Sequence, residues 1–340
     1  MLFYFFLFNK YGREHKIENT YIYYREPPSD LKPAIVGMLS SFQNYQNRFL
    51  EAILMDLIRR RHVQYEEIPG KRFTKDHRLT LLNQKEDSLE DYEVFMIEEL
   101  MFEDEITVTM KGLRKKFLTS NGGYAESFQK FKNMIKAKTQ TYGYFDDSSN
   151  KYSILAIVFG VVLCFVGFIG GIMVSFIFLD GMNFIFMLLI PVGLFYIFGA
   201  HALKRRTKKG ADEYSKWKAF SLFMKDFSNL KAYGPKSIII WERFLVYATV
   251  FGIATVVLKA LRVVAPTLYD TNGGALLGPA LFANSTIRLA PITKAMTGIS
   301  SMSRSISRVA SSSTSSSSGG GGGFSGGGGG GGGGSGGGFG

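Results

Sequence analysis

Residues Tyr152 to Leu203 hold two long apolar runs separated by one short turn, and a dense basic cluster, Lys204-Arg205-Arg206-Thr207-Lys208-Lys209, follows at once. Asp180 is the only acidic or basic charge between Lys151 and Lys204. A bilayer core requires about 20 apolar residues per helix, because lipid offers no hydrogen bonds to a backbone that does not satisfy its own. Phe184–Leu203 fits that length; Tyr152–Leu179 exceeds it, so the longer helix tilts or protrudes. The first run holds 18 Leu, Ile, Val or Phe residues and the second 12. At roughly 0.3–0.6 kcal/mol each, insertion is favoured by about 5–11 and about 4–7 kcal/mol respectively. The pattern predicts a two-helix transmembrane hairpin over 152–203.

Orientation follows from Lys and Arg. Lys130, Lys132, Lys136, Lys138 and Lys151 precede the first span and the basic cluster follows the second, whereas the turn Asp180-Gly181-Met182-Asn183 has no basic residue. Both flanks are therefore expected on the cytoplasmic side. Lys204, Arg205, Arg206, Lys208 and Lys209, together with Trp217 and Trp241, make up the expected membrane-surface contacts, the cations against anionic headgroups and the indoles at the interface. Within the spans, Gly167-x-x-x-Gly171 permits close helix packing, and Pro191 is expected to kink the second helix, which a membrane helix tolerates. Neither span contains Asp, Glu, Lys or Arg, which argues for an anchor rather than an ion path. His201 reads as an interfacial residue.

Charge divides the chain. Residues 1–150 carry 22 basic and 22 acidic residues, while residues 151–340 carry 18 and 6 and so supply the whole net charge of +12. The front half is not electrostatically a nucleic-acid binder, and the rear half resembles a segment facing a membrane surface or polyanion. Cys164 is the only cysteine, so the chain can form neither an internal disulfide nor a thiolate zinc cluster. His15, His62, His77 and His201 lack metal-ligand spacing. Met1–Phe8 is apolar but too short to span. Residues 1–24 read as a truncated transmembrane remnant or an interfacial anchor.

In residues 25–150 the pattern alternates between helix and strand. The prolines of Tyr21–Pro28 keep that stretch extended, and Pro33 opens a short helix to about Phe42. Leu50, Ile53, Leu54, Leu57 and Ile58 share one face of a helix over 48–61, with Arg59-Arg60-Arg61 at its C-terminus. Val63–Ile68 and Arg78–Leu82 pair as a hairpin through Pro69-Gly70. Ser88 is placed to cap a helix carrying Leu89, Tyr92, Met96 and Leu100. Ile106, Val108 and Met110 alternate as a strand, or else Thr109 caps a basic helix that breaks near Asn121-Gly122-Gly123 and runs towards Thr139. The order resembles a winged helix. In the DNA-binding reading Arg59–Arg61, Lys71, Arg72, Lys75 and Arg78 grip phosphate; in the other they form a solvated surface offset by Glu66, Glu67, Asp76 and the acidic stretch Glu86–Glu105. The zero net charge favours the second.

Residues 204–265 read as a basic, aromatic helical segment. Trp217, Phe220, Phe223 or Met224, Phe227 and Leu230 form one helical stripe. Phe244–Leu258 is free of charge but only 15 residues long. Extending it takes in Glu242, Arg243, Lys259 or Arg262 at up to about 2.5–3.5 kcal/mol each, so a helical pair lying on or beneath the membrane is expected rather than a third span.

Tyr23-Tyr-Arg-Glu-Pro-Pro-Ser-Asp-Leu-Lys-Pro-Ala-Ile-Val-Gly37, Ala52-Ile-Leu-Met-Asp-Leu57, Trp217-x-x-Phe220 with Asp226-Phe-Ser-Asn-Leu230, Trp241–Gly252 and the Gly-rich end resemble the YciQ-like predicted membrane proteins of bacteria. The resemblance covers most of residues 20–340. It implies a chain lacking the signal peptide and β-rich exported domain with which such proteins begin, and it carries over no catalytic residue.

Residues 266–310 are a poorly patterned linker, and the Ser/Gly-rich tail 311–340, interrupted by Phe324 and Phe339, is expected to be disordered. No Gly-rich phosphate loop, His-Glu-x-x-His helix or Gly-x-Ser-x-Gly elbow occurs. Glu98, Glu99 and Glu103 read as a solvated helix face rather than a pocket lining. The expectation is an α-rich multi-pass protein of a bacterial plasma membrane, with an α+β winged-helix-like cytoplasmic domain and a membrane-proximal helical segment. It is expected to be a non-enzymatic interaction or scaffold protein without cofactor or metal, whose partners are the bilayer, anionic headgroups and another protein. The alternative is a membrane-tethered DNA-binding regulator using residues 25–150.

Overall fold

A computed structural model describes residues 2–17, 21–69, 75–82, 89–119, 123–177, 183–226 and 238–264. The expected turn at 180–182, the cap Ser88, the bases Lys71 and Arg72, the stripe positions Phe227 and Leu230, the linker and the tail lie outside these residues.

Helix α1 (Leu2–Leu7) continues as a π-helical turn, Phe8–Gly12. Helix α2 (Pro33–Ser40) starts on a proline, whose fixed φ and missing N–H suit the first helical position. In α3 (Asn47–Arg59) the expected apolar face is buried, with Ile53, Leu54 and Leu57 fully enclosed. Strands β1 (Val63–Pro69) and β2 (Lys75–Leu81) pair antiparallel with Val63 opposite Leu81. A third strand, β3 (Thr107–Thr109), adds to β2 with Thr80 opposite Thr107. Both readings of 106–110 hold at once, because Thr109 ends β3 and its Oγ1 accepts the Gly112 N–H of α5 (Met110–Thr119) at 3.1 Å. Earlier in the chain, α4 (Asp91–Phe95) runs directly into a π-helical stretch, Met96–Phe102. The Glu93 carboxylate reaches back to the Glu90 N–H at 3.0 Å, the closing half of a capping arrangement.

Helix α6 (Gly123–Thr141) stops before Gly143, which takes a φ of +66°. Then come α7 (Asp147–Ile177) and α8 (Asn183–Gly199), with Pro191 inside the latter, and a 3-10 turn, Ala200–Leu203. Helix α9 (Lys208–Lys225) is capped by Thr207, and α10 (Ile238–Phe251) and α11 (Ala254–Val264) meet at Gly252, whose φ is +72°.

One buried cluster runs from Leu31 to Ala260 and joins residues of α2, α3, α6, α9, α10 and α11 with the sheet and the π-helical stretch. The expected membrane-proximal pair over 204–265 is thus corrected: both flanks of the hairpin build one core. Phe244, Ala248 and Ala260 are wholly enclosed by protein. An all-round apolar helix signals burial but does not say whether lipid or protein does the burying.

Among the described residues, α7 and α8 are the two helices long and apolar enough to cross a membrane. Val161, Val162, Phe165 and Phe168 of α7 and Met187, Leu188 and Phe198 of α8 are exposed, an apolar surface larger than a helix pair in water normally leaves uncovered. The two helices meet through glycines. A Cβ on Gly160 would lie 2.6 Å from the Gly193 carbonyl, and one on Gly193 would lie 2.6 Å from both Gly160 O and Cys164 Sγ. Gly167 has the same tight fit, with Phe186 O at 2.8 Å, whereas among the described residues a Cβ on Gly171 would come nearest to Phe186 Cβ, at 3.9 Å. The glycines of α7 that admit α8 are therefore Gly160, Gly167 and Gly170, where a Cβ on the last would run into the Phe186 ring, and not the pair Gly167 and Gly171.

Helix α1 packs along the end of α8. The Tyr4 ring sits edge-on to Phe195 and Tyr196, and its hydroxyl donates to Gly199 O at 2.8 Å. Farther along, Tyr11 stacks on Tyr152 with ring centres 3.9 Å apart.

Candidate functional site at the hairpin neck

An α-helix leaves its last four carbonyls without internal partners. In α2 these belong to Gly37, Met38, Leu39 and Ser40. The Ser41 N–H and hydroxyl donate to Gly37 O at 3.0 and 2.9 Å, and the Gln43 N–H donates to Met38 O at 2.8 Å. The other two carbonyls are taken by a side chain from beyond the hairpin. Arg206 donates from Nε and Nη2 to Leu39 O at 3.0 and 2.7 Å, and from Nη2 to Ser40 O at 3.3 Å. Its charge also suits the negative end of the helix dipole.

Arg206 is 2 % exposed. Phe42 and Tyr214 sandwich the guanidinium, with ring centroids 3.8 and 3.7 Å away, and Nη1 meets Glu14 Oε1 at 3.0 Å. Phe42 and Gln43 take left-handed φ values of 52° and 61°, which non-glycine residues adopt only when surroundings enforce it. Burial pulls the guanidinium below its ordinary pKa and Glu14 opposes that pull; an arginine nonetheless stays charged.

The chain entering the hairpin and the chain leaving it run antiparallel here. Phe145 bridges Arg206, the Thr207 N–H donates to Tyr144 O at 3.0 Å, and the Asp146 N–H donates to Arg205 O at 3.3 Å. Arg205 holds the Asp146 carboxylate at 2.6 Å and donates to Lys10 O at 3.0 Å. The Ser149 hydroxyl donates to Leu203 O at 2.5 Å and accepts the Arg205 N–H at 2.8 Å, while Ser153 donates to Ala200 O at 2.7 Å. Gly210 lies so close to the Tyr144 carbonyl that a Cβ there would overlap it. The N-terminal segment, the end of α2 and both hairpin connections thus converge on one hydrogen-bonded neck.

Beside the neck opens a cavity of about 90 Å³ lined mainly by polar residues, among them Gln43, Asn44, Lys136, Gln140, Asn150 and Lys204. Burial, and then the neighbouring Lys136 charge, pull the Lys204 ammonium below its ordinary pKa. Among the described residues, neither lysine has a carboxylate at ion-pair distance.

The expected membrane-surface set is divided by the structure. Lys208 and Lys209 are exposed and Lys204 and Arg205 half-buried, with Lys209 Nζ donating to Tyr142 O at 3.1 Å. Arg206, Trp217 and Trp241 are buried, which corrects their assignment to the surface. Trp217 donates to Glu213 Oε1 at 2.9 Å and packs on Phe220 and Tyr247; Trp241 packs on Phe244. Glu14, Phe42, Lys136, Asp146, Ser149 and Tyr214 were missed. The one local signal for them is the run Asp146-Asp-Ser-Ser-Asn150, too polar for a bare lead-in to a span.

Of the bases in the DNA-binding alternative, Arg59–Arg61, Lys71, Arg72, Lys75 and Arg78, the first two are paired within the fold. Arg59 pairs with Asp56 at 2.8 Å, and Arg60 pairs with Asp56 at 2.9 Å and with the buried Glu93 at 2.5 Å. These charges are neutralised inside the fold, and phosphate affinity rests on un-neutralised cations. A larger open cavity of about 710 Å³ lies between the π-helical stretch and α6 and includes Phe95, Glu99, Lys130 and Met134, with Lys130 Nζ 4.9 Å from the Phe95 ring centre. Glu103 instead pairs with Lys116 at 2.5 Å. Among the described residues no group of three His, Cys, Asp or Glu is placed to hold a metal ion.

Residues 20–261 match the family described as "Predicted membrane protein (DUF2207) C-terminal domain". No curated protein matches the chain, and no solved structure does.

Proposed function

The chain belongs to the family of predicted membrane proteins with a DUF2207 C-terminal domain, and we propose that within it the chain is a non-enzymatic, membrane-anchored interaction protein. The hairpin α7–α8 is the anchor, and the single soluble domain built from both flanks is the part that meets a protein partner. On this reading it is a multi-pass, YciQ-like protein of a bacterial plasma membrane, with its soluble domain cytoplasmic. The Lys and Arg bias around the hairpin supports that orientation, and the exposed apolar surface of α7 and α8 supports insertion.

The observation that carries the reading is the neck. Main-chain pairing between 144–146 and 205–207, together with buried Arg206, ties the domain to the membrane helices. An anchor joined by a free linker would show no such pairing. The spans carry no charged side chain, so transport through the hairpin has no polar path.

Photo-crosslinking in intact cells tests the proposal. Benzophenone groups are placed in the full-length chain at Lys115, Asn133 and Lys218, all exposed. A discrete protein adduct, reproduced from neighbouring positions on one face and absent from the others, supports an interaction role. Uniform absence of protein adducts from all faces contradicts it.

A further inference from the structure

We infer that the cavity beside the neck is a binding site for one phosphate oxyanion at the membrane boundary, held by Lys136 and Lys204. The inference rests on the proposed membrane insertion and adds a ligand class to it. The cavity borders the first turns of α7 and the exit from the 3-10 turn after α8, since Ser149, Asn150, Lys204 and Arg205 all line it. That is the depth at which headgroup phosphates lie beside an inserted hairpin.

Size and chemistry agree on the ligand. A volume of about 90 Å³ is several times the ~10–15 Å³ of cavity space that one water needs. It has room for a phosphate group. Two ammonium groups without a carboxylate partner line one small space, and the side-chain amides of Gln43, Asn44, Gln140 and Asn150 border it. The mutual repulsion of Lys136 and Lys204 is relieved by an anion between them. The other charges at the cavity are three: Arg205 and Asp146, which neutralise each other, and Asp147, exposed at the start of α7. The lining therefore carries one net positive charge. Lys208 and Lys209 lie outside the cavity and make a control of equal charge.

Two sources supply a phosphate oxyanion: a lipid headgroup and free phosphate. The test uses the full chain in nanodiscs and counts bound ligand by native mass spectrometry. One arm titrates phosphatidylglycerol into phosphatidylcholine discs; the other adds inorganic phosphate to pure phosphatidylcholine discs. Variants are Lys136→Gln with Lys204→Gln, and Lys208→Gln with Lys209→Gln as the control. Saturable binding of one ligand, about a hundredfold weaker in the cavity pair and unchanged in the control pair, is expected, since each of the two lost charge-assisted hydrogen bonds is worth about tenfold or more. The arm that saturates identifies the source.

Equal weakening in both pairs indicates diffuse surface attraction and overturns the inference, as does absence of saturable binding in both arms. Release of the wild-type chain from membranes by alkaline carbonate would defeat the insertion reading itself. An inserted chain with no saturable site defeats only the phosphate site. Melting curves of the variants guard against misfolding.

Discussion

The guanidinium of Arg206 lies 2.7 Å from the main-chain carbonyl of Leu39, although 167 positions separate them in the chain. That contact closes the C-terminus of α2 with a side chain from the far side of the hairpin. It makes the α7–α8 hairpin and the core built from its flanks parts of one packed structure.

Arg206 is therefore predicted to be a stability determinant and not an interchangeable member of a basic patch. Arg206→Ala removes hydrogen bonds from a buried charge and a two-ring sandwich, and leaves two helix-end carbonyls in a dry site. The expected loss is roughly 3–5 kcal/mol. Arg206→Lys keeps the charge but loses the planar fork and the stacking, so it is expected to recover less than half of that. Lys208→Ala, exposed, should stay within about 0.5 kcal/mol of wild type. Chemical denaturation in detergent micelles ranks the three; equal stability of Arg206→Ala and wild type would remove the neck from the account.

The hairpin makes a second prediction through its glycines. Gly193→Ala forces a methyl group against the Gly160 carbonyl and Cys164, and overpacking of this kind costs about 1–3 kcal/mol. Gly171→Ala meets the described residues no closer than 3.9 Å, at Phe186 Cβ, an ordinary contact, and should cost less than Gly193→Ala. Thermal melts that order the two variants the other way would show that α7 and α8 do not pack as described.

Acid should loosen the neck. Burial alone would raise the Asp146 carboxyl, but the Arg205 guanidinium and the Ser148 and Ser149 N–H groups outweigh it and hold the pKa below the usual carboxylate range. The native value is depressed relative to the unfolded one. The stability contributed by Asp146 is thus fully present above the ordinary value of about 3.9 and is lost as pH falls through the depressed native value. Wild type should exceed Asp146→Asn in melting temperature at neutral pH, and the gap should close in that acidic window. A gap independent of pH would mean that the carboxylate charge plays no part.

Local chemistry was legible in the chain. The two long apolar helices, the α3 face, the β1–β2 pairing and the Thr109 cap each depend on residues a few positions apart, and each occurs. What stayed hidden depends on distant partners. Arg206 looks identical to Lys208 in a basic cluster, because its burial is decided by Glu14, Leu39, Phe42 and Tyr214. From Phe244 on, the α10 run is free of charge, and composition alone does not separate a helix enclosed by α3 and α9 from one facing lipid. The same ambiguity misplaced Trp217 and Trp241. The neck cavity has no sequence signature, since Lys136 and Lys204 meet only when the hairpin folds back.

The central claim is that one soluble domain, built from both flanks, sits on one side of the membrane beneath an inserted hairpin. Single cysteines at Lys115, Lys218 and Asn183, in a chain with Cys164→Ala, test it most directly with a membrane-impermeant maleimide on sealed vesicles of known orientation. The account predicts that positions 115 and 218 label from the same face and that position 183 labels only from the opposite face. Labelling of 115 and 218 from opposite faces, or of all three from one, would contradict it.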